Sequence, residues 1–150
     1  MKKIYTWAAK PATRNLTVAD LKANKGKKKL SQVSVNSAEE SRAALDANID
    51  LIICGCENVQ EVRNGNDTLF LTAGIGLPNY PTESDILRAA FRALEQGADA
   101  VGTPRSMSIV SMLAREEIPV MGHLGLVPRK STWAGGLRAL LRVGSPPCGG

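Results

Sequence analysis

Cysteine, histidine and aromatic side chains are scarce in this chain of 150 residues, and long apolar runs are missing. Its three cysteines, Cys54, Cys56 and Cys148, are odd in number and too few for a disulfide framework, so reduced thiols are expected. Cys54-Gly55-Cys56 has no second pair at zinc-finger spacing, which argues against a metal knuckle. No stretch approaches the roughly 20 apolar residues of a membrane-spanning helix. The start, Met1-Lys2-Lys3-Ile4-Tyr5-Thr6-Trp7, lacks the apolar core of a secretory signal. A cytoplasmic protein without a membrane partner is therefore expected. No Walker phosphate loop is present, and Gly74-Ile75-Gly76 lacks the third glycine of a dinucleotide fingerprint, with Pro78 where its helix would begin.

Positive charge is abundant but unevenly placed. Of the 19 Lys and Arg, nine fall in residues 1–29 against the single acid Asp20, while residues 30–150 are slightly acidic. Lys25, Lys27, Lys28 and Lys29 form a basic cluster. Without interleaved aromatics or a nucleic-acid-binding motif, it reads as a solvated arm before the first strand, and nucleic acid is not an expected partner.

From residue 30 the pattern alternates between strand and helix. Leu30 to Val35 reads as a strand, and Ser37-Ala38-Glu39-Glu40 as a capping box opening a helix that runs to about Ala47. Asp50 to Cys54 is a second strand, Val59 to Arg63 a short helix, and Leu69 to Ala73 a third strand. Thr82-Glu83-Ser84-Asp85 caps a helix with Ile86, Leu87, Ala90, Phe91 and Leu94 on one face, closed by Gly97. Ala98 to Val101 is a fourth strand. Met107 to Arg115 is a helix burying Ile109, Val110, Met112 and Leu113, and Ile118 to Met121 is a fifth strand.

Apolar strands separated by helices define an α/β chain with a parallel sheet. Open doubly wound sheets and eight-stranded barrels share that local pattern, and both place ligands beyond the carboxyl ends of the strands. Those ends carry Gly55-Cys56-Glu57, Gly74-Ile75-Gly76, Gly102-Thr103-Pro104-Arg105-Ser106 and Gly122-His123. Such glycines let backbone come close to a ligand. His123, the only histidine, ends the apolar run Ile118-Pro119-Val120-Met121 and reads either as a ligand contact or as a satisfied polar residue at a strand end.

Gly122-His123-Leu124-Gly125-Leu126-Val127-Pro128, followed by Gly135-Gly136 and preceded by Tyr80 and Gly97-Ala98-Asp99-Ala100-Val101, resembles the ketopantoate hydroxymethyltransferase (3-methyl-2-oxobutanoate hydroxymethyltransferase) family over roughly residues 30–138. The resemblance implies a partial (β/α)8 TIM-type barrel of the phosphoenolpyruvate/pyruvate superfamily with about five strand units, where a full barrel has eight. It also implies transfer of a hydroxymethyl group from methylenetetrahydrofolate to 3-methyl-2-oxobutanoate in pantothenate biosynthesis. Magnesium would chelate the keto acid and stabilise the enolate formed when a base removes the C3 proton.

Carried over residue by residue, the resemblance puts the family's two metal-binding aspartates at Cys56 and near Gly74. It puts a further acidic ligand at Pro104 and a substrate-contacting lysine at Gly102. None of these residues offers a carboxylate, so magnesium ligands are not found in this chain. The serine beside the first aspartate becomes Glu57, the nearest carboxylate. His123, Gly122 and Glu57 are the expected substrate contacts. The family's catalytic carboxylate belongs to a later strand, so no catalytic residue is assigned.

The expected organisation is a basic arm over 1–29, a partial barrel over 30–139, and an atypical Gly/Pro/Cys tail over 140–150 whose composition suggests an interrupted reading frame. An open parallel sheet exposes edges and apolar surface, so a homo-oligomer is expected. Two further readings stay open: a non-catalytic fragment or keto-acid-binding pseudoenzyme, and a different metal-dependent carbon–carbon lyase of the superfamily.

Overall fold

Side-chain caps decide where the helices begin. The Thr82 hydroxyl accepts from the Asp85 N–H at 3.2 Å, and the Asp85 carboxylate accepts from the Thr82 N–H at 3.2 Å, a reciprocal box that satisfies two orphan donors. Ser37 accepts from the Glu40 N–H, while Glu40 reaches one residue further back, to the Asn36 N–H. The computed structural model describes residues 1–140, so the expected tail lies outside the described residues apart from Leu140.

The elements in chain order are β1 (Lys2–Tyr5), β2 (Pro11–Arg14), α1 (Val18–Asn24), β3 (Gln32–Ser34), α2 (Ala38–Asp46), β4 (Leu51–Gly55), α3 (Val59–Gly65) and β5 (Phe70–Gly74). They continue with α4 (Glu83–Glu95), β6 (Ala100–Thr103), α5 (Met107–Arg115), β7 (Val120–Gly122), β8 (Gly125–Leu126), a 3-10 turn (Pro128–Lys130), α6 (Ser131–Ala134) and β9 (Ala139–Leu140).

Strands β3 to β7 form one parallel sheet in the order β3-β4-β5-β6-β7. Each strand pairs with the next strand of that run in the chain. A doubly wound sheet reverses its order at a switch point, and this one does not. Right-handed crossovers in a sequential sheet bring the connecting helices to one face. Along β4 that face carries Ile52 and Cys54, buried, while Leu51, Ile53 and Gly55 on the other face stay half-buried. The core lies between sheet and helices, where Ile52, Leu71 and Val101 meet Val59, Val62, Ile86, Leu94 and Leu113. Each such side chain contributes about 1.5–3 kcal/mol when fully buried. This is an α/β fold whose five parallel strand units fit a partial TIM-type architecture.

Residues 1–29, read from the sequence as a solvated arm, hold regular structure. Strands β1 and β2 pair antiparallel, with Lys2 opposite Arg14, and α1 opens on a Thr17–Asp20 capping box. The lysines from Lys25 to Lys29 are exposed beyond it. The hairpin is tied down by Arg14, whose side chain is 3% exposed. Its Nε donates to Asp99 Oδ1 at 2.7 Å, and the Arg63 Nη2 donates to Asp99 Oδ2 at 2.7 Å. The Leu71 N–H donates to the same carboxylate at 2.9 Å. One acid thus faces two buried guanidinia, and backbone carbonyls of Thr13, Asn66, Asp67, Leu69 and Gly97 accept from their other N–H groups. Burial outweighs the nearby Asp99 charge and lowers the Arg63 pKa to about 10.

All five strands of the sheet begin later than the sequence suggested, β3, β6 and β7 by two residues. Ala98 and Ile118 spend their N–H groups on Ala93 and Leu113 carbonyls at the ends of α4 and α5, so β6 starts at Ala100 and β7 at Val120. Phe91, expected in the core, is 42% exposed and meets Trp7 of the hairpin turn edge-on, ring centroids 6.1 Å apart. Val110 is half-buried. At Gly65 a Cβ would stand 1.9 Å from the Ala38 carbonyl oxygen, so only glycine permits α3 to approach α2 so closely.

Candidate active site at the carboxyl ends of the strands

Parallel register turns the scattered glycines into a surface. Gly55 pairs with Gly74, and Gly74 with Gly102, so three neighbouring strands place glycines in one row. Met121 closes the row beside Gly102. These residues, with Ile53, Pro104, Gly122 and His123, line a cleft of about 650 Å³, within the usual range for small-molecule sites. Its floor is bare backbone because a row of side chains is missing.

His123 and Gly122, expected from the sequence as substrate contacts, are among the residues that line this cleft. The His123 N–H donates to the Thr103 carbonyl at 3.0 Å, which fixes the backbone, and the residue remains exposed. Gly122 sits close over α5, since a Cβ there would meet Val110 Cγ2 at 3.4 Å.

Glu57 does not line the cleft but overhangs it. A Cβ on Gly55 would stand 2.9 Å from Glu57 Oε2. The other carboxylate oxygen, Oε1, accepts from the Tyr80 hydroxyl at 2.8 Å and from the Asn79 amide at 3.5 Å. Burial alone would raise the Glu57 pKa, but the Tyr80 hydroxyl, its own backbone N–H and Asn79 outweigh it and hold the carboxyl below its ordinary range. Tyr80 is pushed well above the usual phenol range, first by Cys56 and then by burial and Glu57, so it stays a donor.

Cys56 is buried and points into this cluster, its Sγ 3.2 Å from the Tyr80 hydroxyl. Burial raises its pKa and pushes Cys54 up to about 11. Both thiols are therefore poor nucleophiles and poor metal ligands. Gly74 and Pro104 line the cleft and offer no side-chain donor. Among the described residues no group of three or more His, Cys, Asp or Glu could hold a metal ion. The donor set therefore does not fit magnesium.

Tyr80 was visible in the sequence only as part of a register and Arg105 only as part of a strand end, and Asn79 was not singled out. Arg105 Nη2 donates to the Leu77 carbonyl at 2.7 Å and also to the Tyr80 carbonyl, pinning the loop that presents Tyr80. Among the described residues no helix is long and apolar enough to cross a membrane.

A sequential parallel sheet with a glycine-floored cleft at its carboxyl ends defines an α/β chain with a cleft of small-molecule size. A family model described as ketopantoate hydroxymethyltransferase matches residues 56–143. The 3-methyl-2-oxobutanoate hydroxymethyltransferase of Thermotoga neapolitana is 33% identical over 148 residues, covering 82% of this chain and 55% of the relative. The enzyme of that name from Kosmotoga olearia is 34% identical, covering 77% and 52%, and that from Deinococcus radiodurans 39%, covering 51% and 29%. The chain belongs to the ketopantoate hydroxymethyltransferase family, and it spans about half the length of the Thermotoga and Kosmotoga relatives.

Proposed function

We propose that this chain binds 3-methyl-2-oxobutanoate in the cleft and takes part in the hydroxymethyl transfer for which its relatives are named, with methylenetetrahydrofolate as the one-carbon donor. The observation that carries this reading is the family match over residues 56–143, which includes Gly74, Gly102, Pro104, Gly122 and His123 of the cleft. In this reading the His123 imidazole donates a hydrogen bond to the bound keto acid, and the glycine floor lets the planar acid lie against backbone. Magnesium would supply Lewis-acid stabilisation of an enolate, but the residues at the expected ligand positions do not fit it and no step is assigned to it.

The same reading takes the five strands as part of a (β/α)8 barrel, with the domain limits of 30–139, in a cytoplasmic homo-oligomer. Exposed Leu124, Leu126, Trp133 and Leu137 support the oligomer by leaving apolar surface to cover.

Deuterium exchange at C3 of 3-methyl-2-oxobutanoate, followed by NMR with and without magnesium, tests the function. Exchange that disappears in His123→Ala is the expected result. A folded chain that binds the acid without exchange refutes transfer. It would favour a second reading, a keto-acid-binding chain without turnover, which rests on the missing metal group. The family match gives no support to a different carbon–carbon lyase.

A further inference from the structure

No Lys, Arg, Asp or Glu is among the described residues that line the cleft. We propose that the cleft takes short branched carboxylic acids without a divalent cation, so that the 2-oxo group is not required for binding; this rests on the keto-acid reading above. A cation site selects a 2-oxo acid because its carboxylate and keto oxygens together chelate the ion, and such a site needs oxygen donors from the protein to hold that ion. Where the protein gives none, the reason to prefer the chelating acid lapses.

Oxygen donors are what the strand ends lack. Their carbonyls are engaged in the sheet: Gly74 accepts from the Cys56 N–H at 3.0 Å, Gly102 from the Ile75 N–H at 2.8 Å, and Thr103 from the His123 N–H at 3.0 Å. Cys56 offers sulfur, a poor partner for a hard cation, and it is buried. Glu57 stands over Gly55 outside the lining, and its Oε1 accepts from the Tyr80 hydroxyl at 2.8 Å. A lone carboxylate so placed does not build a coordination sphere inside the cleft.

What remains suits an acid by itself. Ile53, Met121 and Leu124 offer apolar contact to a branched alkyl group, and the exposed side-chain donors of the lining are Ser34, Asn36 and His123. Ser34 pairs in register with Ile53, which sets these donors beside the apolar contact. The carboxylate then stays at the wet mouth of the cleft, where its charge keeps its water, and the alkyl group lies inward on the glycine floor. In that pose the 2-oxo oxygen adds at most one hydrogen bond, a difference of about tenfold or less in affinity.

The experiment is calorimetry on the full chain with 3-methyl-2-oxobutanoate and with 3-methylbutanoate, the same acid without the keto oxygen, each in EDTA and in excess magnesium. The expected result is an affinity for each acid that changes by less than about threefold with magnesium, and a difference between the two acids of about tenfold or less. Manganese alone, followed by its EPR signal at submillimolar concentration, should stay unbound. A double variant, Asn36→Ala with His123→Ala, should bind both acids at least about tenfold more weakly. Both side chains are exposed, so the change spares the core, and circular dichroism checks the fold. Keto-acid binding that needs magnesium, a preference for the keto acid above about tenfold, or manganese held by the chain each overturns the proposal while the keto-acid reading stands. A double variant as tight as the parent overturns the placement of the carboxylate. A folded chain that binds neither acid overturns the keto-acid reading itself.

Discussion

Replacing Asp99 by alanine should cost the fold about 3–5 kcal/mol, the usual penalty for stripping the partner from buried charge. Arg14 and Arg63 side chains are 3% and 7% exposed, and Asp99 is 11% exposed, so solvent cannot take over. Three hydrogen bonds disappear together, two from guanidinia and one from the Leu71 N–H. All three end on a charged carboxylate, and such bonds contribute about 1.5–3 kcal/mol each. The carbonyls that also receive the two guanidinia soften the loss, which keeps the total within that range. With a urea slope of about 2 kcal/mol per molar, the unfolding midpoint should fall by about 2 M. Asp99→Asn, which keeps an oxygen for Leu71, should lose roughly half as much. A midpoint shift below about 0.5 M for alanine would refute the reasoning and mean that the cluster is already hydrated.

Two further outcomes follow from the same geometry. Gly65→Ala should destabilise by about 3 kcal/mol in urea unfolding, because its Cβ meets backbone of α2; a loss under about 0.5 kcal/mol would show that α2 and α3 separate freely. The Asp20 carboxyl is held down to about 2, from 3.8, first by Lys2 and then by Thr17, so its contribution is complete above pH 3.8 and is lost as pH falls toward 2. Asp20→Asn should therefore flatten the fall in urea midpoint between pH 4 and 2, and an unchanged slope would remove Asp20 as its source.

The sequence made the helices readable because their starts are chemical: Ser37 and Thr82 cap where they were expected to cap. Thr17-Val18-Ala19-Asp20 carried the same signal for α1, but the surrounding lysines drew attention to charge instead. Strand starts were less legible, since Ala98 and Ile118 are as apolar as the strands they precede and only the helix-closing bonds show that they are spent. Arg14 and Asp99 lie 85 positions apart, a pairing that no local pattern encodes. At the site, His123 and the glycines stood out by type and position. The aim of Glu57 did not, because it depends on Tyr80 from another loop 23 positions away.

The spacing of paired strands has a consequence in polymer terms. Gln32 lies 19 positions before its partner Leu51, Leu51 lies 19 before Phe70, and Val101 lies 19 before Val120. Between β5 and β6 the separation grows to 28, from Thr72 to Ala100, and this longer connection holds Asn79 and Tyr80. Closing a loop costs free energy only as the logarithm of its length, so those extra residues add roughly 0.3 kcal/mol to joining the two strands. The segment that aims Glu57 is thus nearly free for the chain to lengthen or rewrite, and new preferences for what enters the cleft can arise there without taxing the sheet.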